Sequence, residues 1–305
     1  TNVKDDFYTA VNRDFLLEPL PEGTDSLDLG TFIGEPFEDK MGALYTIAPE
    51  NVTGADPEIL APEKLTHIQE LVNYLYAQGE DAQGRAEKGV EPLRSYLEGI
   101  EDISSMEEMT AYFRNEQGEN LFDIQLAPFS VQAAYTDRAG DDYTVMIQPQ
   151  AELVLPDKDN YLNLNTDGVG YDLYNRELIG SIFGRLGYSA SQINAMLTGC
   201  YRFECKLVRC LPYESNMQEN TYWTENDAIY SREELDALCG NFPLGAILEE
   251  YGLGASRTYT VPCGIQLEEL GRIYCDRNLS DIKAYLEIHT ALNAVTLLDD
   301  GTNTL

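Results

Sequence analysis

The sequence is poor in positive charge, histidine and tryptophan. Against 53 Asp and Glu it sets only 20 Lys and Arg, which leaves a formal net charge of −33 over 305 residues. Nucleic-acid binding is excluded on that ground, because a phosphate backbone is held by neutralising it with cations. An anionic membrane surface is disfavoured for the same reason. No run approaches the roughly 18 apolar residues of a membrane-spanning helix, so no transmembrane span is expected. The start, Thr1-Asn2-Val3-Lys4-Asp5-Asp6, lacks the apolar region of a signal peptide. Any targeting segment is expected to have been removed.

Metal-ligand patterns are equally sparse. Only His67 and His289 are present, and no H-E-x-x-H places two imidazoles on one helix face. The six cysteines, at 200, 205, 210, 239, 263 and 275, never adopt C-x-x-C spacing. Cys200, Cys205 and Cys210 fall five apart on a helical stretch and cannot share one face. Buried free thiols are the first reading, and a disulfide among Cys239, Cys263 and Cys275 is the alternative. No metal is expected on this chain.

What is present is core material. Hydrophobic residues make up 43% of the chain, with 20 Tyr and 10 Phe, so the acidity belongs to a folded protein and not to a disordered tail. Helical periodicity dominates, and a mainly α fold follows. Pro62 opens a helix whose inward stripe reads Leu65, Ile68, Leu71, Val72, Leu75 and Tyr76, with His67 off it. Ser105 with Glu108, Ser189 with Gln192 and Ser231 with Glu234 have capping-box spacing. Leu178, Ile179, Ile182, Phe183 and Leu186 make a one-sided helix. The Ser189 box starts the longest expected helix, with a stripe from Ile193 through Cys200, Tyr201 and Glu204 to Leu211. A last helix follows Leu279-Ser280-Asp281, with Ile282, Tyr285, Leu286, His289 and Leu292 inward.

Strand signals are few. Phe129 to Tyr135 and Tyr143 to Ile147 read as a hairpin across Asp137-Arg138-Ala139-Gly140, and Arg257 to Val261 as one further short strand. The stretches Gly79 to Gly89 and Asn163 to Gly170 read as surface turns. Within the second, Asn163, Asn165, Asp167 and Gly168 imitate the start of a calcium loop. Asn at position 1 and Tyr174 at position 12 depart from what that loop needs, so a solvated turn is the expectation.

Two polar residues sit on apolar stripes. Glu204 buried without a partner would cost several kcal/mol, so it needs one, and a structural ion pair or backbone contact is preferred over acid/base catalysis. For His289 the default is a hydrogen-bonded core histidine. Trp223, beside Tyr222, reads as part of a loop folded back on the core.

Several segments together resemble the neprilysin-like zinc endopeptidases. Asp5-Asp6-Phe7-Tyr8-Thr9-Ala10-Val11-Asn12, followed by Phe15 and Pro21, is similar to that family's opening. Leu155-Pro156-Asp157-Lys158-Asp159-Asn160-Tyr161-Leu162 is similar to its Leu-Pro-x-Arg/Lys-Asp-Tyr-Tyr-Leu. The Glu204 helix, Tyr230 to Leu235, Phe242-Pro243, Val261-Pro262, Leu267 to Leu270 and Leu279 to Leu286 continue the series in order.

The resemblance implies one mostly helical lobe of a two-lobed metallopeptidase, with a small hairpin near 129–147. It implies a boundary near residue 60, residues 1–60 packing with the catalytic half and residues 61–305 enclosing substrate. Zinc, H-E-x-x-H and the substrate strand are expected only in a C-terminal half, the partner of this lobe, and the substrates to be oligopeptides. Asn12, Tyr161 and Glu204 are expected to be structural and no residue catalytic, so the chain alone is expected to be inactive. Asp28 stands where neprilysin has an Arg for the substrate carboxylate, and the animal enzymes' N-terminal cysteines are missing, which suggests a bacterial type. An extracytoplasmic, secreted or surface-anchored protein is implied. The alternative is a stand-alone peptide-binding or scaffold protein derived from that lobe.

Overall fold

The computed structural model describes residues 42–52, 61–114, 130–135, 143–148, 153–156, 158–162, 166–209, 227–250, 252–254, 258–262 and 264–303. The chain falls into two compact units, Thr1–Asp81 and Ala82–Leu305.

In the first unit, helix α1 (Pro62–Glu80) starts with Pro in its first turn, where the missing N–H costs nothing. It grips the segment before it by polar contacts. Gln69 Nε2 donates to the Leu44 carbonyl and Asn73 Nδ2 to the Ile47 carbonyl, both at 3.0 Å, while the Tyr45 and Tyr76 rings pack at 5.4 Å. The expected inward stripe is corrected by this arrangement. Leu65, Val72 and Tyr76 are half-buried, whereas Ile68, Leu71 and Leu75 are exposed. Apolar spacing could not register that two amides fix which side of the helix is used.

The second unit is mainly helical, as expected. Its helices are α2 (Ala82–Lys88), α3 (Arg94–Glu101), α4 (Met106–Arg114), α5 (Lys158–Leu162), α6 (Thr166–Arg185), α7 (Ala190–Leu207), α8 (Arg232–Cys239), α9 (Leu244–Glu250), α10 (Ile265–Ile273), α11 (Leu279–Ala294) and α12 (Asp300–Asn303). Both turn expectations need correction. Helix α2 runs inside the Gly79 to Gly89 stretch, and α6 already begins at Thr166. That makes α6, at 20 residues, longer than α7 at 18. Glycines lower helix propensity by about 1 kcal/mol each, yet burial of Leu178, Ile179, Ile182 and Phe183 holds α6 together against that cost.

The caps form where their spacing puts them. Ser189 Oγ accepts from the Gln192 N–H at 3.3 Å, and Gln192 Oε1 accepts from the Ser189 N–H at 2.9 Å. Ser231 and Glu234 repeat the pattern. At α4, Ser105 Oγ takes the Glu108 N–H, but the Glu108 carboxylate turns to the N–H and hydroxyl of Ser104 at 2.6 and 2.8 Å. Replacing Ser189 with Ala is expected to cost about 1 kcal/mol. A lower urea midpoint at unchanged slope would register it.

The hairpin is half of a four-stranded sheet of order β1-β2-β4-β3. Strand β1 (Ser130–Tyr135) runs antiparallel to β2 (Tyr143–Gln148), in register from Ser130 opposite Gln148 to Tyr135 opposite Tyr143. β2 pairs in parallel with β4 (Thr258–Pro262), and β4 antiparallel with β3 (Asp227–Tyr230). Val145, Ile147, Tyr259 and Val261 are buried at the period-two spacing of a half-covered sheet. β3 has four residues, too few to show that alternation, and so carries no strand signal of its own.

Helix α11 is the axis of the packing and lies against α7, α3 and α6. It is buried almost all round, including Ala284 through Ala291, so its stripe is wider than the expected one-sided pattern. α7 crosses it closely because Gly199 has no side chain: a Cβ there would lie 2.8 Å from Ala284 Cβ.

Candidate functional site: a buried carboxylate centre

Where α7 meets α11, the fold encloses Glu204 completely, with 0% of its surface exposed. Helical spacing puts Cys200 one turn before it on the same face. Its carboxylate collects donors from three parts of the chain. The Val154 N–H reaches Oε1 at 3.0 Å, His289 Nε2 on α11 meets Oε1 at 2.7 Å, and the Tyr161 hydroxyl donates to Oε2 at 2.6 Å. The Cys200 sulfur lies within 4.8 Å of it and feels its charge. An ionised carboxylate only accepts, so His289 Nε2 carries the hydrogen of that bond.

A second layer fixes the donors. Tyr161 accepts the Leu155 N–H at 2.9 Å, and Asn175 Nδ2 donates to the Val154 carbonyl at 2.7 Å. The Leu155-Pro156 turn is thus tied to α5, α6 and α7 at once. Tyr285 packs on the His289 ring at 4.3 Å, and Phe203 on Tyr285 at 5.2 Å. Burial, reinforced by the Glu204 charge, pushes the Tyr161 hydroxyl above the usual phenol range and the Cys200 thiol well above the usual thiol value. Both stay protonated, and Tyr161 keeps donating.

Cys200, Glu204 and His289 are ligand types for zinc, with ligand atoms within 4.8 Å of one another. The arrangement does not fit the ion. On a tetrahedral zinc with bonds of about 2.0–2.1 Å, nitrogen and oxygen ligands stand about 3.3 Å apart, whereas here they are in hydrogen-bond contact at 2.7 Å. Cys200 is held as the neutral thiol, and both carboxylate oxygens are in use. Without an open face, the centre cannot take a proton from a substrate either. What it can do is hold α5, α6, α7 and α11 in one arrangement.

Glu204 and Tyr161, drawn from two separate motifs, meet directly. His289 supplies the partner that Glu204 needs. Helical spacing gives no sign of the Val154 N–H, of Asn175 or of the nearness of Cys200. What it does offer is two lone polar residues on two apolar stripes, which satisfy each other when the stripes face. Asn12, Asp28 and Trp223 lie outside the described residues, as do Asn163 and Asn165 of the calcium-like loop. Asp167 and Gly168 fall in the first turn of α6, which is helix and not the tight loop that calcium requires. Cys200, Cys205, Cys239 and Cys275 are free thiols, so no disulfide joins Cys239 to Cys275, and Cys210 and Cys263 lie outside the described residues. His67 is exposed beside Glu70. Among the described residues no helix is long and apolar enough to cross a membrane.

Comparison with known proteins agrees with this architecture. Residues 3–304 match the N-terminal model of Peptidase family M13. The structure superposes on the Mycobacterium tuberculosis zinc metalloprotease Zmp1 in its open state with a TM-score of 0.72 at 15% identity, covering 100% of this chain and 45% of that one. For PepO from Lactobacillus rhamnosis HN001 the TM-score is 0.66 at 16% identity, with coverage of 99% and 45%. No curated protein sequence matches. This chain spans less than half the length of either structural relative, and at such identity the superpositions show a shared fold. With the family match running over nearly every residue and that fold beneath it, the chain belongs to Peptidase family M13, as its N-terminal region.

Proposed function

We propose that this chain forms the substrate-enclosing lobe of a zinc endopeptidase that hydrolyses oligopeptides, working with a C-terminal half that carries the zinc and its ligands. The observation that supports the reading most is the superposition of the whole chain on less than half of a zinc metalloprotease. The residues agree with that division of labour: two histidines without H-E-x-x-H, and a Cys200, Glu204 and His289 set whose geometry does not suit zinc. In this reading Glu204, Tyr161 and His289 keep the wall of the enclosure rigid while the chemistry is done opposite. Asn12 is structural in the same sense, and Asp28 repels a substrate's free carboxylate. An extracytoplasmic setting, as a secreted or surface-anchored protein, belongs to the same proposal.

The test is hydrolysis of a quenched-fluorescent peptide library by residues 1–305 and by a protein in which they are followed by a zinc-binding half. Cleavage is expected only from the longer protein and is expected to stop with a chelator. Chelator-sensitive cleavage by residues 1–305 alone would overturn the proposal.

The charge of −33 adds a prediction about substrates. In the two-lobed protein, Lys-rich peptides are expected to show a kcat/KM on the order of tenfold above neutral ones at low salt, falling toward parity near 0.5 M salt. A ratio that is flat across salt would remove the acidic wall from the account.

A further inference from the structure

Helix α11 carries a second buried carboxylate that the Glu204 centre does not use. Glu287 is 7% exposed, and among the described residues no hydrogen bond or ion pair reaches its carboxylate. Its surroundings follow from the helix. Lys283 lies one turn earlier on the same face, and its ammonium donates to the carbonyls of Glu101 at 2.5 Å and Ile103 at 2.8 Å, closing the C-terminal end of α3. Glu287 therefore faces that same end. The Glu101 carboxylate there accepts the Tyr188 hydroxyl, from the turn between α6 and α7, at 2.5 Å.

The charged and titratable groups that act on Glu287 are thus Glu101 of α3, Lys283 of its own helix and Tyr188 of the turn. Arg94 of α3 reaches Tyr188. Two of the three Lys283 donors are spent on carbonyls, so Lys283 only partly offsets the two carboxylates. Glu101 is exposed, which gives a proton a route to the cluster.

We propose that Glu101, Tyr188, Lys283 and Glu287 form a proton-operated latch that fastens the end of α3 to α11 at mildly acidic pH and slackens as pH rises toward neutrality. Burial first, and the Glu101 charge second, push the Glu287 carboxyl from 4.5 up to about 7. Released to solvent it titrates near 4.5, so between 4.5 and about 7 the closed latch holds a proton that the open one has lost. Raising the pH through that window favours opening, and above it the effect is constant. Once ionised, Glu287 places a second negative charge beside Glu101 in a largely buried position, and the Tyr188 and Lys283 contacts at the end of α3 are loosened together.

The latch is tested by hydrogen exchange at the amides of Asp102 and Ile103, which close the last turn of α3. Protection, corrected for the intrinsic pH dependence of exchange, is expected to fall by at least about tenfold between pH 5 and pH 8. Glu287→Gln is expected to flatten the profile, and Glu101→Gln to move the fall to lower pH. Constant protection in the wild type, or the same fall in Glu287→Gln, overturns the proposal. Should that variant not fold, carboxyl NMR of wild-type Glu287 decides: a midpoint near 4.5 refutes the latch, and one near 7 supports it.

Discussion

Glu204→Ala is expected to lower stability by about 3–5 kcal/mol, among the largest effects of any single substitution in the chain. The size follows from what is left behind. The Val154 N–H, the Tyr161 hydroxyl and the His289 Nε2–H all lose their acceptor in a place water does not reach. A buried donor left unsatisfied costs about 1–3 kcal/mol, and the three are coupled, so their sum is an upper bound. Tyr161→Phe removes one bond to a charged acceptor and also the acceptor of the Leu155 N–H, and is expected to cost about 1.5–3 kcal/mol. Glu204→Gln keeps the shape but presents an amide N–H2 to at least one donor, and should fall between the two. Urea unfolding followed by circular dichroism ranks the three variants. If Glu204→Ala stays within 1 kcal/mol of wild type, the centre does not hold these elements together, and the structural role proposed for Glu204 and Tyr161 goes with it.

The sequence made one half of that centre legible and not the other. Glu204 and His289 were each visible as a polar residue on an apolar stripe, because helical period alone shows when a residue sits on the buried side. That they pair depends on α7 crossing α11 with Gly199 against Ala284, a tertiary fact without local signature. Tyr161 came from a motif and not from spacing, and the Val154 N–H belongs to a backbone whose sequence only says turn. The same distinction runs through the fold. Caps at Ser189 and Ser231 were readable because cap and N3 residue are three apart in the chain. The register of α1 was not, because Gln69 and Asn73 select its contact side by reaching carbonyls some 25 residues away. Glycines pointed to turns in α2 and α6 where the chain is helical.

The helical glycines give the second large effect, and its sign depends on which one is changed. Alanine is better than glycine inside a helix by about 1 kcal/mol when nothing else intervenes. At Gly184 on α6 a new Cβ would find nothing within 4 Å. Gly184→Ala is therefore expected to stabilise by about 0.5–1 kcal/mol. Gly271 on α10 is the opposite case. A Cβ there would lie 2.1 Å from the Cys239 carbonyl oxygen and 2.8 Å from its carbon, where ordinary contact begins at 3.4 Å. Those are backbone atoms at the end of α8, and they cannot turn aside as a side chain would. Nor can the end of α8 relax easily, since Gly240 follows with φ of 55° and Leu235 and Cys239 are buried there, as Leu267 and Leu270 are on α10. Separating the two helices by about 1 Å loosens both apolar faces, so the cost is expected near the top of the overpacking range, about 3 kcal/mol, which outweighs the propensity gain. Thermal and urea unfolding of the two variants side by side should give shifts of opposite sign from the same chemical change. If Gly271→Ala also stabilises, α8 and α10 do not approach this closely.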